Sequence, residues 1–86
     1  MTGTHPADVD SRGTLCPQPI IDIARTARVA PDGTRVRLLA DDPGADADVP
    51  AWCRMRGHHL VSRTELPEGE GGGVAYVVEL RSSAGA

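Results

Sequence analysis

The sequence predicts an α/β domain of the βαβαββ type, a two-layer sandwich in which two helices cover one face of a four-stranded mixed sheet. Three observations predict it. The 86 residues suffice for one modest core. Apolar residues recur at helical spacing in two segments, and strand-like runs precede, separate and follow those segments. The strand-helix-strand order favours a right-handed crossover with the first two strands parallel, leaving the other face of the sheet partly exposed.

The first strand and first helix flank a turn. Residues 7–10 (ADVD) form a short extended segment that ends at the turn 11–13. The helix begins near Pro17 and ends near Arg28 or Val29. Its apolar residues follow the i, i+3, i+4, i+7 spacing of one helical face, at Ile20, Ile23, Ala24 and Ala27.

The second strand is predicted at residues 34–40, after a turn at 31–33. The second helix follows an acidic stretch, in which Asp46 and Asp48 favour the positive end of the helix dipole. Its helical stripe comprises Ala45, Val49, Trp52, Cys53 and Arg56, with the Trp52 side chain expected in the core.

Pro50 leaves the start of the second helix open. It either occupies the first turn of a helix that starts late, or kinks a helix that starts at Pro43. Gly57 suits the C-terminal cap of this helix.

A hairpin ends the predicted domain. Residues 59–65 alternate and 74–81 are strongly β-prone, so they form the third and fourth strands. The glycine-rich segment 67–73 between them is predicted to be a flexible loop. The domain thus covers 7–81, and we expect flexible tails at 1–6 and 82–86.

Composition argues against several classes of function. The net charge is −3 and all nine basic residues are arginine, so a strong electrostatic grip on nucleic acid is not expected. One Trp, one Tyr and no Phe leave few stacking platforms for bases. No apolar run approaches the ~20 residues of a membrane span, and the first residues do not resemble a signal peptide, so we expect a cytoplasmic protein.

The chain has two cysteines, Cys16 and Cys53, and no CxxC motif. Without a secretion signal, two free thiols are favoured over a disulfide. Cys53 lies in an apolar helical pattern and is expected to be a small buried hydrophobe. The cysteines and the pair His58-His59 lack the ligand spacing of a zinc finger, so no metal site is expected.

Cys16 lies in the loop that leads from the first strand to the first helix, which is the usual place of function in α/β units. If Cys16 is the N-cap, Pro17 and Pro19 supply no N–H, and only the Gln18 and Ile20 amides can meet the sulfur. The prolines also hold the thiol rigidly outside the helix.

The environment predicted for Cys16 favours the thiolate. The helix dipole and the Gln18 N–H are expected to lower the pKa of the Cys16 thiol. Arg12 adds positive potential if its side chain folds toward the loop. Asp10 either influences the thiol or bonds neighbouring backbone, and turn chemistry favours the second role. Asp41 and Asp42 resemble a paired-carboxylate site, but no second group of such residues faces them, which favours places in the turn and at the start of the second helix.

The sequence predicts no catalytic base for Cys16. A hydrolytic cysteine needs an adjacent base, but nothing in the spacing brings His5, His58 or His59 to the loop. A resolving cysteine is also missing from the motif. A lone nucleophile that accepts a sulfur atom and hands it on fits these features.

The stretch VDSRGTLCPQPIIDIAR, together with DDPGADADVPAWCRMRGHHL and the terminal hairpin, resembles the TusA/SirA-type family of small sulfur-carrier proteins over residues 9–81. Residues 16–19 match the family's CPxP motif, and Asp10 and Gly13 match its preceding Asp and Gly. Later matches are Asp41-Asp42-Pro43, Asp48-Val49-Pro50 and Gly57-His58.

The resemblance implies the βαβαββ fold and a persulfide carried on Cys16, with no cofactor beyond that covalent sulfur. A cysteine desulfurase or a rhodanese-type protein would supply the sulfur. An acceptor protein would receive it for tRNA thiolation, molybdenum-cofactor maturation or sulfur oxidation. We expect a monomer, and the alternative function is a non-catalytic regulatory or protein-interaction module.

Residues expected to shape the site around Cys16 are Asp10, Arg12, Gly13, Pro17, Gln18 and Pro19. A small, transient interface for the sulfur donor and acceptor is expected to surround the thiol. Its predicted polar rim consists of Arg12, Gln18, Arg54 and Arg56.

Overall fold

The structure, a computed structural model, describes residues 7–81, and the predicted tails lie outside the described residues. Its elements follow the predicted order, with one added 3-10 helix at Glu68–Glu70. The strands and α-helices are β1 (Ala7–Asp10), α1 (Gln18–Val29), β2 (Arg35–Ala40), α2 (Ala45–Arg56), β3 (His59–Glu65) and β4 (Val74–Glu79).

The strands form one mixed sheet in the order β1-β2-β4-β3. β1 pairs in parallel with β2, while β4 lies antiparallel to both β2 and β3. The predicted crossover and terminal hairpin are therefore confirmed. Because the carboxyl ends of β1 and β2 meet at one edge, the two loops that lead into α1 and α2 lie side by side.

The core lies between the sheet and the two helices. The register pairs Val36 with Val78 and Leu38 with Tyr76, so these side chains share the covered face of the sheet. α1 contributes the fully buried Ile23. α2 contributes Ala45, Val49, Trp52 and Cys53, which confirms four positions of the predicted stripe and the core position of Trp52. Arg56, predicted on the same stripe, is exposed.

The opposite face of the sheet is partly exposed, as predicted. Asp8 of β1 lies opposite Arg37 of β2, and their side chains form an ion pair at 3.0 Å. Leu39 and Ala75, which pair on the same face, are nonetheless buried. Within residues 7–81, neither helix has the length and apolar character needed to span a bilayer.

α2 runs from Ala45 through Pro50, so its start precedes the proline and the late-start alternative is wrong. Pro50 supplies no N–H to the carbonyl of Asp46 one turn earlier, so the helix tolerates one missing bond there. Gly57 ends the helix with φ 76°, and its N–H bonds the carbonyl oxygen of Cys53, which confirms the predicted cap.

Residues 67–73, predicted to be a flexible loop, form a structured turn around the 3-10 helix. The Leu66 N–H donates to the Gly73 carbonyl oxygen at 2.9 Å, closing the turn. Gly71 and Gly73 adopt φ values of 93° and 85°, which favour glycine at both positions. A Cβ on Gly71 would lie 2.5 Å from the Arg12 guanidinium, and one on Gly73 would lie 2.8 Å from the Ala40 carbonyl oxygen.

Candidate functional site

The exposed thiol of Cys16 lies between β1 and α1, in the loop predicted from the sequence. The helix begins one residue later than predicted, however, because Pro17 and not Cys16 is the N-cap. The Gln18 N–H donates to the Leu15 carbonyl oxygen at 2.8 Å, and the Ile20 N–H to that of Pro17 at 3.0 Å. Both amides assigned to the sulfur are therefore used by the backbone, and that part of the prediction is wrong.

The loop after β2 holds the Cys16 loop in place. The carboxylate of Asp41 accepts the Gly13 N–H at 3.0 and 3.1 Å. The carboxylate of Asp42 accepts the Cys16 N–H at 2.8 Å. The backbone of Asp42 also belongs to the turn into α2, as predicted, because its carbonyl oxygen accepts the Ala45 N–H. The side-chain contacts to the neighbouring loop were not predicted.

Gly44, the N-cap of α2, packs against the same region. A Cβ at Gly44 would lie 3.1 Å from Oδ2 of Asp42 and 3.4 Å from Cβ of Cys16. The missing side chain allows the start of α2 to approach the cysteine closely.

Asp48, in the first full turn of α2, accepts a hydrogen bond from the Cys16 thiol. The sequence predicted only a helix-dipole role for this residue. A signal was available: two parallel neighbouring strands place the following helix starts side by side, so a polar residue early in α2 falls within reach of the β1–α1 loop. Asp48 is thus a hydrogen-bond partner of the thiol that the sequence-based reasoning missed.

The pKa of the Cys16 thiol is raised, opposite to the predicted direction. The hydrogen bond to Asp48 is the largest cause, followed by partial desolvation and the negative charges of Asp48 and Asp42. The reason is physical: two carboxylates disfavour a thiolate beside them, and the amides expected to stabilise it are bonded elsewhere. In this state Cys16 is a protonated thiol at neutral pH.

Arg12 does not supply the positive potential predicted for the thiol. Its guanidinium donates from Nε and Nη2 to the carboxylate of Asp10, at 2.9 and 2.8 Å. Nη1 donates to the carbonyl oxygens of Glu70 and Gly72, at 2.7 and 3.2 Å. Arg12 thus links the end of β1 to the turn between β3 and β4.

Asp10 has the structural role predicted for it. Its Oδ1 accepts the Arg12 backbone N–H at 3.1 Å. The hydrogen bonds from Arg12 lower the pKa of Asp10 to about 2.

A small polar network ties the turn after β1 to α1. Ser11, almost completely buried, donates from its hydroxyl to Oδ2 of Asp22 at 2.6 Å. Gln18 donates from Nε2 to Oδ1 of the same carboxylate at 2.8 Å. Pro19 is buried beneath the first helical turn. Gln18 and Pro19 therefore help to fix the start of α1 next to the loop. The sequence-based reasoning did not identify Ser11 or Asp22.

The predicted polar rim is only partly assembled. Arg54 and Arg56 are exposed in the last turn of α2. Eight residues separate Arg56 from Asp48, which corresponds to about 12 Å along the helix axis. Both arginines thus lie at the opposite end of α2 from Asp48, the residue that contacts the thiol. The exposed side chain beside it is Leu15, which is 77% accessible.

Cys16 and Cys53 are both free, as predicted. Cys53 is buried in the core, and burial raises its pKa to about 11. Among residues 7–81, no three or more His, Cys, Asp or Glu side chains are grouped so as to hold a metal ion. The site's chemistry thus rests on one accessible thiol and the carboxylates around it.

A comparison with protein-family models matches residues 7–79 to the family described as Sulfurtransferase TusA. The match extends from β1 to the end of β4 and includes both loops of the site.

Proposed function

The chain belongs to the TusA sulfurtransferase family, and from that premise we propose that it carries sulfane sulfur as a persulfide on Cys16 and passes it to an acceptor protein. Membership gives the general role, sulfur transfer between partner proteins. The carrying residue, the persulfide and the partners are the content of the proposal.

The observation that carries the proposal is the difference in access between the two thiols. Cys16 is exposed in a loop fixed by Asp41 and Asp42, whereas Cys53 is 3% accessible. A sulfur carrier must present its thiol to a partner, and only Cys16 meets that requirement.

The reaction requires two exchanges. In the first, the Cys16 sulfur attacks the terminal sulfur of a donor persulfide, a new S–S bond forms on Cys16, and the donor's S–S bond breaks to release a thiol. In the second, an acceptor thiol attacks the terminal sulfur of the Cys16 persulfide and regenerates the Cys16 thiol. Neither exchange needs a bound cofactor.

A cysteine desulfurase or a rhodanese-type protein is the proposed donor. The acceptor is a protein thiol in a sulfur-trafficking pathway, such as tRNA thiolation or molybdenum-cofactor maturation. The exposed Leu15 beside the thiol supports a small interface that releases each partner after one exchange.

Intact-mass spectrometry tests the proposal. The protein is incubated with a cysteine desulfurase and L-cysteine, and in parallel with a rhodanese and thiosulfate. We expect an added mass of about 32 Da that is lost on reduction. Cys16→Ser is expected to abolish the adduct, and the matched variant Cys53→Ala to retain it.

Two results would contradict the proposal. One is an unmodified wild-type protein with both donors, which would favour a non-catalytic interaction module. The other is an adduct that persists in Cys16→Ser, which would place the sulfur elsewhere. Circular dichroism of both variants establishes that they are folded.

A further inference from the structure

One of the histidines considered as bases, His58, is engaged away from Cys16. His58 accepts the Arg81 backbone N–H on Nδ1 at 3.0 Å, and its ring packs against Trp52 with centroids 4.7 Å apart. The group in hydrogen-bond contact with the Cys16 sulfur is the Asp48 carboxylate. A nucleophile in direct contact with an acceptor of its proton is the arrangement of general-base catalysis.

The direction of this hydrogen bond defines where the proton lies. An ionised carboxylate only accepts, so the thiol is the donor and its proton lies between Sγ of Cys16 and Oδ2 of Asp48. Asp42 acts on the thiol with a second negative charge. A thiol in this setting is mainly protonated at neutral pH, and a protonated thiol is a poor nucleophile. Loading with sulfur therefore requires a group that takes the proton.

We propose that Asp48 is the proton-transfer partner of Cys16, accepting the thiol proton during sulfur loading and returning it during sulfur release. The inference rests on the proposed persulfide-carrier function and adds a catalytic residue to it. Asp42 has a different part, because its Oδ2 is bonded to the Cys16 backbone N–H and it positions the loop.

The proton and the electron pairs balance in both directions. During loading the S–H proton moves to Oδ2 of Asp48 while a sulfur lone pair forms the new S–S bond. The donor's S–S bond breaks with its electron pair on the donor cysteine, which takes up a proton from water. During release the acceptor thiolate attacks the terminal sulfur, and Asp48 protonates the departing Cys16 sulfur. No external oxidant or reductant is consumed.

Asp48→Asn separates this role from a merely electrostatic one, because two rates move in opposite directions. Removing the anion favours the thiolate, so alkylation of Cys16 by iodoacetamide at neutral pH is expected to become several-fold faster. Sulfur uptake from a cysteine desulfurase at the same pH is expected to become about 100-fold slower, a typical loss when a general base is removed. Both rates are measured across a pH series by intact mass.

Glu68→Gln is the charge-matched control. Glu68 is exposed in the turn between β3 and β4 and is not in contact with Cys16, and both rates are expected to stay unchanged. If Asp48→Asn does not fold, Asp48→Glu and Asp48→Gln compare a carboxylate with an amide of equal length. Uptake is then expected to be slower, and alkylation faster, in the Gln variant.

An increase of both rates in Asp48→Asn, or unchanged uptake, would overturn the inference, because Asp48 would then only suppress ionisation. Equal rates of sulfur uptake in Asp48→Glu and Asp48→Gln would also overturn the inference. The wild-type adduct is measured separately. Its absence would reject the carrier function itself, whereas a wild-type adduct with an unaffected Asp48→Asn would reject only the role of Asp48.

Discussion

The two cysteines of this chain have raised thiol pKa values for different reasons. At Cys16 the main cause is a hydrogen bond to Asp48, while at Cys53 it is burial in the core. A partner or a proton can change the charge of a carboxylate at the surface, but burial is relieved only by unfolding. The raised pKa of Cys16 can therefore change with the state of its surroundings, whereas the raised pKa of Cys53 persists as long as the protein is folded.

The largest expected difference between the cysteines is in their alkylation rates. In the folded protein, iodoacetamide is expected to modify Cys16 and to leave Cys53 protected by a factor of about 1,000 or more, because Cys53 reacts only after opening that approaches global unfolding. In denaturant the two rates should converge. Peptide mass spectrometry over time measures both sites, and similar rates in the native protein would contradict the buried position of Cys53.

Replacing each cysteine by serine is expected to change the free energy of unfolding by different amounts. Cys53→Ser places a hydroxyl in the apolar core beside Val49 and Trp52, and is expected to destabilise the protein by about 1–3 kcal/mol. Cys16→Ser changes an exposed position and is expected to stay within about 0.5 kcal/mol of the wild type. Urea unfolding followed by circular dichroism gives both values, and equal losses would show that the Cys16 loop carries fold stability.

The smallest expected effect is a loss of local stability at low pH, in the turn between β3 and β4 that Arg12 links to Asp10. The folded-state pKa of Asp10, about 2, lies below its ordinary value of 3.8. The associated stabilisation is therefore present above about pH 4 and lost as the pH falls toward 2. We expect amide exchange in the turn 67–73 to speed up over this range, measured by hydrogen exchange with mass spectrometry.

Asp10→Asn is the control for this effect. It should loosen the turn already at neutral pH and remove most of the pH dependence there, since Arg12 loses its carboxylate partner. Exchange that changes equally around Ser11 and Asp22 would indicate general acid unfolding instead. The accessibility of the Cys16 thiol should stay the same at low pH and in Asp10→Asn. That result would show that the Cys16 loop and the turn 67–73 open independently.

Most of the fold was predictable from the sequence because local patterns determine it. β1 and β3 have the predicted bounds, and α1 ends at Val29, one of the two residues predicted for its end. The differences lie at element ends, where backbone bonding decides. Pro17 caps α1 because the Ile20 and Ile21 N–H groups both reach its carbonyl oxygen. Pro50 stays within α2, where the packing of Val49, Trp52 and Cys53 favours a continuous helix.

The candidate site was only half predictable. Its nucleophile follows from the loop position of Cys16, but its electrostatics come from residues 26 and 32 positions further along the chain. Hydrogen bonds between loops that are distant in sequence leave no periodic signal. The same applies to Arg12, whose partners on the turn between β3 and β4 lie 58 and 60 residues away. The sequence identified the exposed cysteine, and the tertiary structure supplied the carboxylates that contact it.

The close approach allowed by Gly44 has a consequence for short versions of this site. A synthetic peptide that copies residues 11–24 would contain the cysteine and both neighbouring prolines, but it would lack every carboxylate contributed by the second loop and α2. Its thiol should ionise like that of an ordinary unstructured cysteine and show no dependence on Asp48. The tetrapeptide motif is thus only half of the site. The other half reaches the cysteine only when the loop after β2 and the start of α2 pack beside it.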